Sequence, residues 1–221
     1  HVYLFGNSHA NMFFTPIRDA AIAQGSKFTS QTRSGCSVAD VIFMTGNVED
    51  VACNSWRTQV LSEVLDLKPD LVIMSNSQND RILDPTTGIR ATPDRAKVLY
   101  VAGLQKIVNQ LSESGIKVIL IRDTPRLSES PLDCLSAYLP EGCQYSVTES
   151  VNDPEFSVGS VDDIPGVLPA DLTLALCGTT TCESVRTGTI VWRDSHHITD
   201  TYARELTPMF SELLKLQLAP Q

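Results

Sequence analysis

Near one end of the chain, Val2-Tyr3-Leu4-Phe5-Gly6-Asn7-Ser8-His9 carries a short apolar run into a hydroxyl. Near the other, Asp194-Ser195-His196-His197 sets a carboxylate three positions before an imidazole. A serine hydroxyl is a weak nucleophile until a neighbouring base takes its proton. Ser8 is the candidate nucleophile and His197 the candidate base. Asp194 is the candidate for holding the imidazole tautomer and stabilising the imidazolium. Such a set does acyl transfer through a serine ester. The oxyanion of the tetrahedral intermediate also needs donors, each worth about 2.7–4 kcal/mol. The candidates are the Ser8 backbone N–H, the backbone N–H near Gly35 and the Asn79 side-chain amide. The D-x-x-H spacing selects His197 over His196, which joins His9 as a candidate substrate contact. The adjacent histidines lack a ligand set with metal spacing, so no metal is expected.

The elements that must position these residues are legible in the pattern. Val2–Phe5 reads as a first strand. Helical spacing follows from Ala10 to about Ala23 and stops at Gly25. Lys27–Thr32 reads as a second strand, running into Ser34-Gly35-Cys36-Ser37. Asn54 is expected to cap a helix through Leu67. Leu71-Val72-Ile73-Met74 has the continuous apolar character of a strand buried on both faces, and it feeds the polar cluster Ser75–Asp80. Pro93–Ser114 is a long amphipathic helix closed by Gly115, followed by the strand Lys117–Ile121 and the cluster Arg122-Asp123-Thr124-Pro125. This alternation predicts an α/β fold around a parallel sheet. Its polar clusters fall at the carboxyl ends of the strands, where such sheets bind ligands. Asp80 and Asp123 read as cap or turn residues, and Trp56 and Trp192 as packing.

From about 127 to 188 the periodicity weakens and Pro, Gly, Ser and Asp are frequent. This stretch reads as an insertion within a single domain spanning 1–221. Order returns with a short strand at Thr189–Trp192 and a helix from Thr199 to about Leu216. Four of the six cysteines lie in the stretch. Six cysteines allow 15 connectivities. Their grouping along the chain favours Cys36–Cys53, Cys134–Cys143 and Cys177–Cys182, and three bridges would place the domain in an oxidising compartment.

The 221 residues, 42% of them hydrophobic, suffice for one core. A net charge of −9 argues against a nucleic-acid or anionic-membrane surface. No apolar run is long enough to span a bilayer. His1 stands immediately before the first strand, as in a domain excised from a longer protein. Signals for export or membrane attachment are then expected outside this sequence.

Gly6-Asn7-Ser8-His9, the Gly35 turn, Ser77-Gln78-Asn79-Asp80 and Asp194-x-x-His197 follow the order of the four motif blocks of SGNH hydrolases. Nearly the whole chain resembles that family. The closer resemblance is to extracytoplasmic SGNH domains fused to the C-terminus of membrane acyltransferase-3 proteins, which carry GDSHA at the start and a cysteine pair leading into D-x-x-H-L-T. Here the corresponding segments are Cys177-Gly-Thr-Thr-Thr-Cys182 and Asp194-Ser-His-His-Ile-Thr199. The resemblance implies a three-layer α/β/α, flavodoxin-like SGNH fold with a disulfide-stapled insertion. It implies no cofactor bound by this domain. The membrane part would pass an acyl group, usually acetyl from acetyl-CoA, across the bilayer. The SGNH part would then place it on a cell-envelope glycan or glycolipid. Two departures stand out: Asn7 where the family usually has Asp, and Ser77 where block three usually has Gly. A secreted carbohydrate O-acetylesterase would use the same triad, and a non-catalytic envelope-binding module would use the same fold.

Overall fold

The computed structural model describes residues 1–77, 81–151 and 160–219. Five strands form the central sheet: β1 (Val2–Gly6), β2 (Phe28–Thr32), β3 (Leu71–Ser75), β4 (Lys117–Ile121) and β5 (Val167–Ala170). Their order is β2-β1-β3-β4-β5, and every pairing is parallel. This is the flavodoxin-like doubly wound order, with a switch point between β1 and β3.

Side chains alternate across the sheet because a strand repeats every two residues. Val2 and Leu4 of β1, Leu71 and Ile73 of β3, and Ile119 and Ile121 of β4 face one core. That core is closed by α1 (Ser8–Asn11), α2 (Phe14–Ala23) and, near the C-terminus, two further helices. Tyr3 and Phe5, Val72 and Met74, and Val118 and Leu120 face the other. There Val60 and Val64 of α3 (Val51–Leu67) and Leu104, Ile107, Val108 and Leu111 of α4 (Pro93–Glu113) pack against them. Gly103 lets α4 approach the chain at Asp40; a Cβ there would sit 2.6 Å from the Asp40 carbonyl oxygen. The layers are therefore α/β/α, as the family resemblance implies.

Several local expectations need correction. The first helical stretch is two helices, broken at Met12 and Phe13. The last is also two, α5 (Asp200–Glu205) and α6 (Thr207–Leu218), with Pro208 in the first turn of α6. A proline there lacks the N–H that would continue α5 and is tolerated only where a helix begins. The cap of α3 is Asp50, whose carboxylate accepts from the Cys53 N–H at 2.8 Å. Asn54 lies one turn inside, where its side chain accepts from the Phe43 N–H at 3.0 Å.

The weakly periodic stretch contains β5, an edge strand of the central sheet. Pro169 is tolerated in it because an edge strand has one side free of ladder bonds. The expected strand at Thr189–Trp192 lies outside this sheet: Thr189–Ile190 pairs with Val185–Arg186 in a small antiparallel ladder. The three disulfides Cys36–Cys53, Cys134–Cys143 and Cys177–Cys182 are all present. Among the described residues, no helix is long and apolar enough to cross a membrane.

Candidate active site

Ser8 is placed by the end of β1. Gly6 pairs with Ser75 of β3, and a Cβ on Gly6 would lie 2.1 Å from the Ser75 carbonyl oxygen and 2.4 Å from the Ala10 side chain. Only glycine lets the chain turn this tightly from strand into helix. Asn7 caps α1: its Oδ1 accepts from the His9 N–H at 2.9 Å and from the Ser77 N–H at 3.3 Å. Its Nδ2 donates to Ser77 Oγ at 3.0 Å. The two departures from the family pattern, Asn7 and Ser77, thus bond to each other across the β1–β3 crevice. Asn7 takes the capping role, so Ser8 is not spent on it.

His197 Nε2 lies 2.9 Å from Ser8 Oγ. Its Nδ1 lies 2.8 and 3.0 Å from the two oxygens of Asp194. Asp194 Oδ1 also accepts from the backbone N–H of His196 at 3.0 Å and of His197 at 2.8 Å, so the turn orients the carboxylate. Partial burial pushes the Asp194 carboxyl up, but those two amides and the His197 ring outweigh it and bring it to about 2. Burial pushes the His197 pKa below its ordinary value, against the pull of Asp194, so the ring is neutral and able to take a proton near pH 7.

A second layer lies behind this set. His9 is fully buried, which removes it from contact with any substrate. Its Nδ1 lies 2.5 Å from Asp123 Oδ1 and 3.1 Å from Thr124 Oγ1, and its Nε2 lies 2.9 Å from His196 Nδ1. Thr124 Oγ1 donates to the His196 carbonyl at 2.8 Å. Asp123 is therefore a buried partner of His9 rather than a turn residue. The signal for it in the sequence was an acidic residue two positions after the buried strand Lys117–Ile121. His196 is half-buried, and its ring centroid lies 4.1 Å from that of His197. Burial first, then the neighbouring His197, Arg126 and His9, pushes its pKa down to about 4.

His9, His196 and His197 can each offer a ring nitrogen, all within 4.8 Å of one another. Both nitrogens of His9 and of His197, and Nδ1 of His196, are already engaged, however. His197 is bonded to Asp194 and Ser8, and His9 and His196 face each other. A cation taking all three would have to break these contacts.

The oxyanion candidates divide. Ser8 opens α1 at the sheet edge. Gly35, at φ +73°, sits in the turn after β2, and that loop starts where the Arg33 N–H bonds the Gly6 carbonyl at 3.0 Å. Asn79 lies outside the described residues. Its neighbour Asn76 is buried and ties the loops together, accepting from the Val38 N–H at 3.3 Å and donating to Tyr100 Oη at 3.1 Å. A groove along α3, lined by residues from Glu49 to Leu67, includes none of Ser8, Asp194 and His197. The convergent chemistry lies instead at the strand ends.

The fold and site define a doubly wound α/β protein with a serine, a histidine and an aspartate hydrogen-bonded in series at the carboxyl edge of its sheet. The family described as SGNH domain (fused to AT3 domains) matches residues 1–212, and the chain belongs to it. No curated protein matches the sequence. Among solved structures, the chain is similar to the periplasmic domain of the lipopolysaccharide acetyltransferase of Salmonella ser. Paratyphi A. That match has a TM-score of 0.70 at 18% identity, covering 97% of this chain and 83% of the other. It also resembles a carbohydrate acetylesterase family member from Sinorhizobium meliloti, with a TM-score of 0.58, 15% identity and 98% of each chain covered. A putative acylhydrolase from Bacteroides fragilis NCTC 9343 matches with a TM-score of 0.56, 14% identity, and 99% and 88% covered. At these identities the likeness speaks for the fold, which is that of SGNH hydrolases.

Proposed function

We propose that this domain moves an acyl group, most simply acetyl, through an ester on Ser8 to a hydroxyl of a cell-envelope glycan or glycolipid. The observation that carries the reading is the unbroken hydrogen-bond chain from Ser8 through His197 to Asp194. Ser8 Oγ attacks the acyl carbonyl carbon while His197 Nε2 takes its proton, and His197 returns that proton to the departing oxygen. The acceptor hydroxyl then attacks the Ser8 ester. Its proton passes to His197 and on to Ser8 Oγ as the acyl–Ser8 bond breaks. Asp194 stays ionised throughout. The N–H groups of Ser8 and Gly35 and the Asn79 amide are the proposed oxyanion donors.

Fusion to AT3 domains in the family supports a membrane acyltransferase-3 partner that draws the acyl group from acetyl-CoA, with no cofactor bound here. The acetyltransferase among the structural neighbours is a periplasmic domain. Three disulfides fit an oxidising, extracytoplasmic face. Likeness to a carbohydrate acetylesterase keeps hydrolysis as the second reading, in which water replaces the acceptor hydroxyl. The test is nitrophenol release from p-nitrophenyl acetate, together with fluorophosphonate labelling of Ser8. Loss of both in Ser8→Ala and His197→Ala is the expected result. Release and labelling that are absent, or unaffected by the substitutions, would remove the acyl-enzyme reading and leave a binding module.

A further inference from the structure

His196 is a half-exposed imidazole that the triad does not use, yet it is more firmly held than a surface ring. One of its ring nitrogens, Nδ1, faces His9 Nε2 at 2.9 Å, and the two rings stack with centroids 5.1 Å apart. Its backbone carbonyl is held by Thr124 Oγ1 at 2.8 Å, and its backbone N–H by Asp194 at 3.0 Å. His9 is itself locked on its far side by Asp123 and Thr124, both next to the end of β4. Asp123, His9 and His196 therefore lie in series, the carboxyl in close contact with His9 and the two rings hydrogen-bonded, from the buried sheet edge to the side of His197. A buried carboxyl and two rings ordered in series are costly to keep unless the last member has work to do.

That last member stands beside the base. The His196 ring is 4.1 Å from the His197 ring, and His197 bonds the nucleophile. With Nδ1 turned to His9, Nε2 is the ring nitrogen left for a ligand. The ring is uncharged near pH 7, so it suits a neutral polar partner rather than an anion. A hydroxyl both donates and accepts, so it pairs with Nε2 in either tautomer. An acceptor whose attacking hydroxyl gives its proton to His197 would bring the hydroxyl on its next carbon toward the adjacent imidazole.

We propose that His196, held by His9 and Asp123, binds the second hydroxyl of a vicinal diol, so that the acyl-enzyme selects sugar-like acceptors over water and simple alcohols. This rests on the acyl-enzyme reading above. His196 would touch the acceptor, and His9 and Asp123 would position it. Acylation of Ser8 precedes the acceptor's arrival, so the selection shows in how the ester partitions.

The experiment supplies p-nitrophenyl acetate to the domain in a mixture of cyclohexanol and cis vicinal cyclohexanediol and measures the ratio of the two acetates. Both products come from one acyl-enzyme, so the ratio does not depend on the fraction of active protein. The wild type is expected to favour the diol beyond the statistical advantage of its two hydroxyls. His196→Phe should lower that preference by about fivefold to tenfold, the worth of one hydrogen bond. His196→Gln, which keeps a polar group near the Nε2 position, should recover part of it. A wild-type ratio no higher than the statistical advantage of two hydroxyls over one, or one unchanged in His196→Phe, overturns the proposal while leaving the acyl-enzyme intact. Nitrophenol release that is absent from the wild type fails the acyl-enzyme reading itself, and this proposal with it.

Discussion

His197 Nε2 and Ser8 Oγ are separated by 189 positions in sequence and 2.9 Å in space. The pair exists because β1 and the turn before α5 end at the same edge of the sheet. Its members act as a unit, so their removal should not be additive. Ser8→Ala and His197→Ala are each expected to lower kcat for ester hydrolysis by roughly 10⁴–10⁶-fold, with the double variant no worse than either alone. Asp194→Asn should cost about 10⁴-fold by favouring the wrong tautomer. Steady-state rates of the four proteins check this.

The pH dependence follows from the direction of the shifts. His197 works as a base only when neutral, and its pKa lies below the ordinary 6.5. The acid limb of the rate profile should therefore fall below pH 6.5, with full activity above it. Asp194, at about 2, stays ionised across that range and adds no limb of its own. A limb centred above 6.5 would contradict the burial of His197.

Stability carries the same sign. His196 and His197 have folded pKa values below 6.5, that of His196 falling to about 4. Between these values the unfolded chain binds more protons than the folded one. Stability should therefore be full above pH 6.5 and decline as the pH falls toward 4. Denaturant midpoints at pH 7 and pH 5 test this, and His196→Phe should flatten the slope.

Asn7 caps α1 and bonds Ser77. Asn7→Ala should cost about 1 kcal/mol for the lost cap and more for the partly buried Ser77 hydroxyl left without its donor. Asn7→Asp keeps the acceptor for the His9 and Ser77 N–H groups, and Ser77 Oγ can turn to donate to it. The new negative charge beside Ser8 favours imidazolium, so the acid limb should move to higher pH. Paired rate profiles would show an unmoved limb if Asn7 were electrostatically remote.

Gly6→Ala would press a methyl group against backbone, 2.1 Å from the Ser75 carbonyl oxygen. One strand end must shift. The cost is about 1–3 kcal/mol, and displacement of Ser8 by the order of 1 Å should lower kcat roughly 10²-fold. Melting curves and rates together separate this from simple unfolding. A Gly6→Ala protein with wild-type values of both would refute the close contact.

The sequence by itself determined the local parts. Continuous apolar runs marked β1, β3 and β4, because a strand buried on both faces must be apolar on both. Glycine and proline marked most of the breaks, and the short separations between cysteines favoured the pairings that are present. The Asp194–His197 dyad was legible because both residues lie on one turn. Other features were decided by residues distant in sequence. Pro169 hides β5, since a proline in a short apolar run argues against a strand unless that strand lies at an edge. Asp123 looked like a turn residue because its partner, His9, precedes it by more than a hundred positions and meets it only at the sheet edge. The same holds for Asn7 with Ser77 and for His9 with His196. Local propensity is written in neighbouring residues. Burial, and the pKa shifts that follow from it, depend on which strand ends the tertiary structure brings together.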